Sequence, residues 1–244
     1  MLLWILLLWI VLFVSYICAS RYNHKQHDFK TFFDSYKLIH GNKNGELAEQ
    51  IVLYRHIEPT DQVLEFGPNI GRSSIIINSR LKNKDKHVVV EADPSIVSKL
   101  QENRDANGQS FRIFSGAISD TPLYRKAWKT GPDKNLGEEV NTLTLRSFLK
   151  KYSDVRFNTI VADCENCLIP FLQKNESFLK DIQKVIIEHD FETVRDLDFF
   201  MQKMRQNGLV KVEEYLKSDA HAPGLGWNGG VNGDPTFVSV WKKN

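Results

Sequence analysis

The 244-residue chain contains only three cysteines and three methionines, and it has no internal repeat or low-complexity tract. Cys18 lies in an apolar run, which leaves Cys164 and Cys167. Two cysteines are no disulfide framework and give no reading of redox compartment. A lone Cys-x-x-Cys without a second Cys/His pair does not complete a tetrahedral zinc site, so no metal is expected and Cys164 is read as a buried thiol. An excess of one charge is also lacking, since 32 Lys plus Arg stand against 30 Asp plus Glu. The basic residues are scattered among acids, without the stripe that a phosphate backbone requires, so nucleic acid is not expected as a partner. Between Val63 and Glu91 there is also no Gly-x-Gly-x-x-Gly, the pyrophosphate cradle of dinucleotide sites, which speaks against an NAD(P)-dependent enzyme.

One long apolar run is present, Leu2 to Ala19. At 1.5 Å per residue, about eighteen residues extend roughly 27 Å, close to the hydrocarbon thickness of a bilayer. Ala19 and Ser20 are small enough for a signal-peptide cleavage site, but no Lys or Arg precedes the run and it exceeds the usual apolar core of such signals. The expectation is an uncleaved single-pass transmembrane anchor over 1–20, a stalk over 21–45 and a globular domain over 46–244. Arg21, Lys25, Lys30 and Lys37 follow the span and place that domain in the cytosol by the positive-inside rule. The sequon Asn175-Glu176-Ser177 has meaning only if the domain faces a lumen.

From Val63 to Gly71 the chain reads Val-Leu-Glu-Phe-Gly-Pro-Asn-Ile-Gly, and Val88-Val89-Val90-Glu91 follows. An apolar strand entering a glycine turn, then a second strand ending in an acid, is how an α/β sheet holds a nucleoside: the acid takes the ribose hydroxyls. The Gly-x-x-x-Gly spacing fits S-adenosylmethionine better than a dinucleotide. Strands are predicted at 62–66, 87–91, 111–115, 159–163 and 185–188, and helices at 46–56, 71–81, 95–107, 145–152, 169–175 and 193–207. Alternation of this kind implies a parallel sheet covered on both faces. Leu209–Leu216 and Thr236–Trp241 have no apolar helix between them and read as an antiparallel pair at the sheet edge. The expected class is therefore α/β, a Rossmann-like seven-stranded sheet, mostly parallel with an antiparallel terminal hairpin.

The string Leu64 to Gly71 resembles the opening motif of the FkbM-type S-adenosylmethionine-dependent methyltransferases, where Gly-x-Asn-x-Gly follows the first strand. Glu91-Ala92-Asp93-Pro94, Leu100 to Asn103, Ala117 to Asp120 and Asp163-Cys164-Glu165-Asn166 are similar to later segments of that family, in order. The resemblance implies a class I methyltransferase sheet, S-adenosyl-L-methionine as methyl donor, and transfer to an oxygen of a sugar, glycan or other hydroxyl acceptor. It implies that Glu65, Gly67, Asn69 and Gly71 line the methionine end of the cofactor, that Glu91 holds the ribose, and that Asp120 flanks the adenine. Asp163 and Glu165 would stand beside the transferring methyl. Asn166 and Pro170 depart from the family, whose motif has glycine at the first of these positions.

On their own chemistry, Asp163 and Glu165 alternate along a strand end, and either carboxylate suits removal of an acceptor proton. His189 follows the fifth predicted strand and is a third candidate base. His221 to Asp234, glycine-rich and containing Trp227, reads as a loop over the site. Two rival readings stay open: an NAD(P)-dependent enzyme on a similar sheet, and a catalytically silent binding module anchored at the membrane.

Overall fold

The computed structural model describes residues 28–216 and 234–243. The chain divides into two compact units, Met1–Tyr36 and Lys37–Asn244. In the first, residues 28–35 form helix α1, with Phe29 and Phe33 in ring contact one turn apart at 5.7 Å.

The expected anchor over 1–20 and the Trp227 loop lie outside the described residues. Among the described residues no helix is long and apolar enough to cross a membrane. The longest helices described below have 13 residues, about 20 Å at 1.5 Å per residue. The expected single-pass membrane placement, with its cytosolic orientation, is withdrawn on that finding.

In chain order the second unit runs α2 (Leu47–His56), β1 (Val63–Phe66), α3 (Arg72–Arg80), β2 (His87–Glu91), α4 (Pro94–Ala106) and β3 (Arg112–Ser115). A small insert follows, made of β4 (Ala117–Ile118), β5 (Leu123–Lys126), β6 (Lys129–Gly131), β7 (Glu138–Val140) and β8 (Thr142–Leu143). The chain then returns through α5 (Leu145–Lys151), β9 (Thr159–Ala162), α6 (Leu168–Lys174), β10 (Lys184–Glu188), α7 (Val194–Gln206), β11 (Leu209–Leu216) and β12 (Thr236–Lys243).

Seven of these strands form one mixed sheet in the order β11-β12-β10-β9-β1-β2-β3. Five are parallel, and β12 runs antiparallel to both β10 and β11. This is the Rossmann-like class I methyltransferase arrangement that the motif order predicts. β1, β2, β9 and β10 are buried along their whole length, which is why they read as unbroken apolar runs and not as alternating ones. Helix starts are set locally: the Asp93 side chain accepts the Ser95 amide at the start of α4, and Thr193 with Asp196 closes a capping box on α7.

The polar segment 37–45, expected as stalk, belongs to the second unit. The buried Asn103 accepts the amides of Ile39 and His40 at 2.7 and 3.0 Å and donates to the carbonyls of His40 and Ile70 at 3.0 and 2.8 Å. One asparagine thereby ties this segment to the glycine turn.

Candidate active site

The turn after β1 is built from backbone that ordinary side chains resist. Gly67, Asn69 and Gly71 have φ of +75°, +50° and +95°, the left-handed region that glycine enters freely and asparagine tolerates. The Gly67 amide donates to the Val90 carbonyl at 3.2 Å. A Cβ at Gly67 would lie 1.7 Å from the Asp163 carbonyl oxygen, so the turn passes in contact with the loop after β9. Glu91, at the end of β2, accepts the Asn69 amide at 3.0 Å and the Asp93 amide at 2.8 Å. Burial pushes its carboxyl up to about 7, against the pull of those two donors.

Glu65, expected at the methionine end of the cofactor, is 1 % exposed and fully engaged by the protein. Its carboxylate accepts Ser73 Oγ at 2.6 Å and Ser74 Oγ at 2.8 Å, and meets His87 Nε2 at 2.8 Å. It braces the first turn of α3 against β2, so it shapes the glycine turn from behind.

Carboxyls converge where the ends of β9 and β10 meet α2. Asp163 follows β9, Glu188 ends β10, Asp190 comes two residues later, and Glu46 and Glu49 stand at the start of α2. Single oxygens of Glu46, Glu49 and Asp163 all lie within 4.8 Å of one another. Arg72, first residue of α3, pairs with Glu46 and also reaches the Asn42 carbonyl at 3.3 Å. Burial raises Glu49 well above the usual carboxylate range, and the charge of Asp163 adds to the rise. Burial raises Asp163 to about 6, with a hydrogen bond from Glu188 opposing, and it lifts Glu188 well above the usual range. Asp190 is pushed by burial to about 7, although it accepts the amides of Asn166 and Cys164 at 2.8 and 3.2 Å. Acids crowded in this way resist losing all their protons until a cation joins them.

Sequence reasoning missed Glu46 and Glu49. The available signal was two acids three residues apart just before the first strand, which puts them on one helical face.

The loop after β9 does not continue the strand as expected. Glu165 and Asn166 both turn left-handed, with φ of +56° and +67°, so Glu165 is exposed and does not align with Asp163. Its pKa is raised, chiefly by partial burial of the carboxyl. Asn166 adopts the backbone its glycine counterpart would use, and Pro170 falls in the first turn of α6, where no helical amide is lost.

Cys164 is not the free thiol expected. It is joined to Cys167 by a disulfide, with Cα atoms 5.4 Å apart, which closes the turn holding Glu165 and Asn166. The Cys-x-x-Cys spacing invites a redox reading as well as a zinc one, and the buried-thiol reading preferred for Cys164 passed over it. Reduction, or a Cys164→Ser/Cys167→Ser double variant, is expected to slow acceptor turnover several-fold while cofactor affinity is unchanged. Steady-state kinetics beside a binding titration checks this, and a fall confined to cofactor affinity would assign the turn to the cofactor side.

His189 is 3 % exposed. Its Nδ1 meets Asp234 at 2.7 Å and its Nε2 meets Ser239 Oγ at 2.7 Å, so both ring nitrogens are committed to the sheet edge. The structure does not bring it into the carboxyl group with Asp163. Asp120 is exposed in the loop after β4. The insert beside it is held at two places: Arg125, paired with Glu138 within the insert, pairs with Asp93 after β2, and Lys129 lies 3.4 Å from Glu192 beyond β10. Trp128, 68 % exposed, stands between those anchors.

Residues 33–118, the stretch that carries the glycine turn and Glu91, match the family model described as ribosomal RNA adenine dimethylase. No curated protein matches the chain. Among solved structures, the chain is similar to a protein in the NADB-Rossmann superfamily from Streptococcus agalactiae, at 9 % identity over 80 % of this chain and 68 % of that one, TM-score 0.49. It is also similar to a putative tRNA (m1A22) methyltransferase from Streptococcus pneumoniae in complex with S-adenosyl-L-methionine, at 10 % identity over 81 % and 72 %, TM-score 0.47. A third is the O-methyltransferase from Bacillus cereus in complex with SAH, at 11 % identity over 90 % and 91 %, TM-score 0.46. The matched model is not the FkbM one, so that likeness extends no further than the shared cofactor motifs. A model named for an enzyme of ribosomal RNA also overturns the exclusion of nucleic acid: scattered basic residues rule out a charged stripe, not every RNA acceptor.

Proposed function

We propose that this S-adenosylmethionine-dependent methyltransferase delivers its methyl group to a hydroxyl oxygen, on a sugar or glycan, held over the ends of β9 and β10. The observation that carries the oxygen reading is the placement of Asp163 and Asp190. Two carboxyls, raised by burial to about 6 and about 7, flank the loop that touches the glycine turn. A hydroxyl must lose its proton as it attacks, and a base with a pKa near the working pH removes it most effectively.

The residues present fit the cofactor. The left-handed turn from Gly67 to Gly71 meets the end of β2, and the Glu91 carboxylate there keeps lone pairs for two ribose hydroxyls. When bound, S-adenosylmethionine supplies a methyl group on a sulfonium sulfur. The chain's part is alignment and proton transfer: the turn and Glu91 fix the donor, and the hydroxyl proton passes to Asp163 or Asp190. Glu65 acts as a positioning residue behind the turn, and Asp120 borders the adenine side.

The base must be ionised to act, so turnover is expected to rise with pH through about 6 to 7, following Asp163 and Asp190. A kcat profile flat across that range would remove both from the role. A second reading, RNA as acceptor, is favoured by the family-model match over residues 33–118. Labelled methyl transfer by the full chain to glycan and RNA pools, with Asp163→Asn as control, separates the two. Label in glycan hydroxyls that disappears in the variant is the expected result. Label in RNA selects the second reading, and cofactor binding with no transfer to either pool returns the chain to a silent binding module.

A further inference from the structure

The bond between Cys164 and Cys167 is poorly placed to hold the whole fold together. A disulfide stabilises a protein more the longer the loop it closes, and this one joins residues only 3 apart in sequence. Its effect is local, and it falls on a turn that the chain resists. Glu165 and Asn166 are both left-handed, with φ of +56° and +67°, an unfavourable pair for residues that carry a Cβ. Among the described residues Asn166 Oδ1 is buried with no hydrogen-bond partner, which adds to the cost of the closed turn. The flanks are fixed independently: the Asp163 amide donates to the Phe66 carbonyl at 3.1 Å, and Leu168 and Ile169 are buried in the core. What the cross-link holds is the pair between them. The same turn holds Asp190, whose Oδ2 accepts the Cys164 amide at 3.2 Å and the Asn166 amide at 2.8 Å. Both cysteines are partly exposed, within reach of a small thiol, and exposed or strained disulfides are the labile ones.

We propose that Cys164 and Cys167 form a reversible redox-modification site, at which thiol–disulfide exchange switches the turn that holds Asp190 between a closed and an open form. The co-reactant is a small thiol of the glutathione class. Its thiolate attacks one cysteine sulfur, the S–S bond breaks, a mixed disulfide forms, and the other cysteine leaves as a thiolate that takes up a proton. A second thiol attacks the mixed disulfide, frees the remaining cysteine as a thiol, and departs joined to the first as their own disulfide. Two electrons and two protons thereby pass to the protein, and the oxidised form of the reductant reverses the sequence. Opening lets Glu165 and Asn166 leave the left-handed region and withdraws both backbone donors from Asp190. The charged groups that face Asp190 are all acids: Asp163 and Glu165 from the β9 loop and Glu188 from β10. Without its donors the carboxyl keeps its proton to higher pH. The switch rests on the reading of Asp190 as an acceptor-side base.

The test uses the full chain carrying Cys18→Ser, which leaves Cys164 and Cys167 as its only cysteines. Maleimide labelling read by mass is expected to add nothing to the oxidised chain, to label both cysteines after reduced glutathione, and to add nothing again after oxidised glutathione. A carbon-13 NMR titration of the aspartate carboxyls is expected to show one group titrating at higher pH in the reduced form, and its absence from Asp190→Asn assigns it. Methyl transfer from labelled S-adenosylmethionine to the pool that accepts label is expected to fall several-fold near neutral pH on reduction and to recover in alkali or on reoxidation. Cys164→Ser/Cys167→Ser is expected to behave as the reduced form whatever thiol is added. Cysteines that stay reduced in oxidised glutathione, or an Asp190 titration identical in the two forms, overturns the switch and leaves the methyl-donor reading intact. A redox-dependent carboxyl that persists in Asp190→Asn also overturns it. Failure of both forms to bind S-adenosylmethionine by calorimetry sinks the donor reading, and the switch with it.

Discussion

Gly67→Ala is expected to abolish cofactor binding and to lower the melting temperature by about 10 °C. The new Cβ would sit 1.7 Å from the Asp163 carbonyl oxygen and 2.9 Å from the Cys164 Cα, and both are backbone atoms with no rotamer to escape into. The left-handed φ of +75° adds roughly 1–2 kcal/mol for any residue with a Cβ. Forced overpacking adds about 1–3 kcal/mol. In a domain of this size each kcal/mol shifts the melting point by about 2–4 °C. Gly108→Ala is the control. It shares a positive φ of +59°, but no atom lies within 4 Å of where its Cβ would stand, so it is expected to cost only the backbone strain. Thermal melts of the two variants, with a cofactor titration of each, decide the matter. Similar losses in both would mean that strain, and not contact with the β9 loop, governs the turn.

Glu91→Ala is expected to weaken cofactor binding by at least about a hundredfold. The carboxylate accepts two backbone amides that hold the turn shut and is the group proposed above to take the ribose hydroxyls. Each hydrogen bond to a charged group contributes about 1.5–3 kcal/mol, so two lost contacts exceed a hundredfold in affinity. Glu91→Gln, which keeps one acceptor, is expected to fall between. The pH dependence of stability gives an independent check. Burial raises this carboxyl from 4.5 to about 7, so the folded state holds a proton that the unfolded chain has released. Folding stability from this group is full below about 4.5 and is lost as pH rises toward 7. Glu91→Gln removes that slope. A variant whose stability declines with pH as steeply as the parent would place the titrating group elsewhere.

The parallel core was legible because its residues are buried on both faces. Val88 to Val90 and Ile160 to Ala162 can only be interior strand, and the glycine turn and Glu91 follow from strand ends in known order. The carboxyl at Asp163 was legible for the same reason. What was not legible depends on contacts between distant segments. Glu49 looks like an ordinary acid in a first helical turn until the β9 loop arrives beside it. His189 looks like a free base until Asp234 and Ser239 close on its ring. Glu165 was misplaced because left-handed backbone at two successive non-glycine residues has no pattern in the sequence. The insert went unread because strands such as Leu-Tyr-Arg-Lys, Lys-Thr-Gly and Glu-Glu-Val have no apolar alternation.

That insert leaves and re-enters the body of the protein through a parallel pair, with Ala117 beside Thr142 and Ile118 beside Leu143. Its two ends are one strand spacing apart, about 4.8 Å. A segment anchored at such close points is exchangeable: doubling its length costs only about 0.6 kcal/mol in closure entropy. Descendants of this chain are free to lengthen or trim residues 126–137 while Asp120 and the Arg125–Asp93 pair stay in place. Change in the length of that excursion is thereby uncoupled from the glycine turn and Glu91.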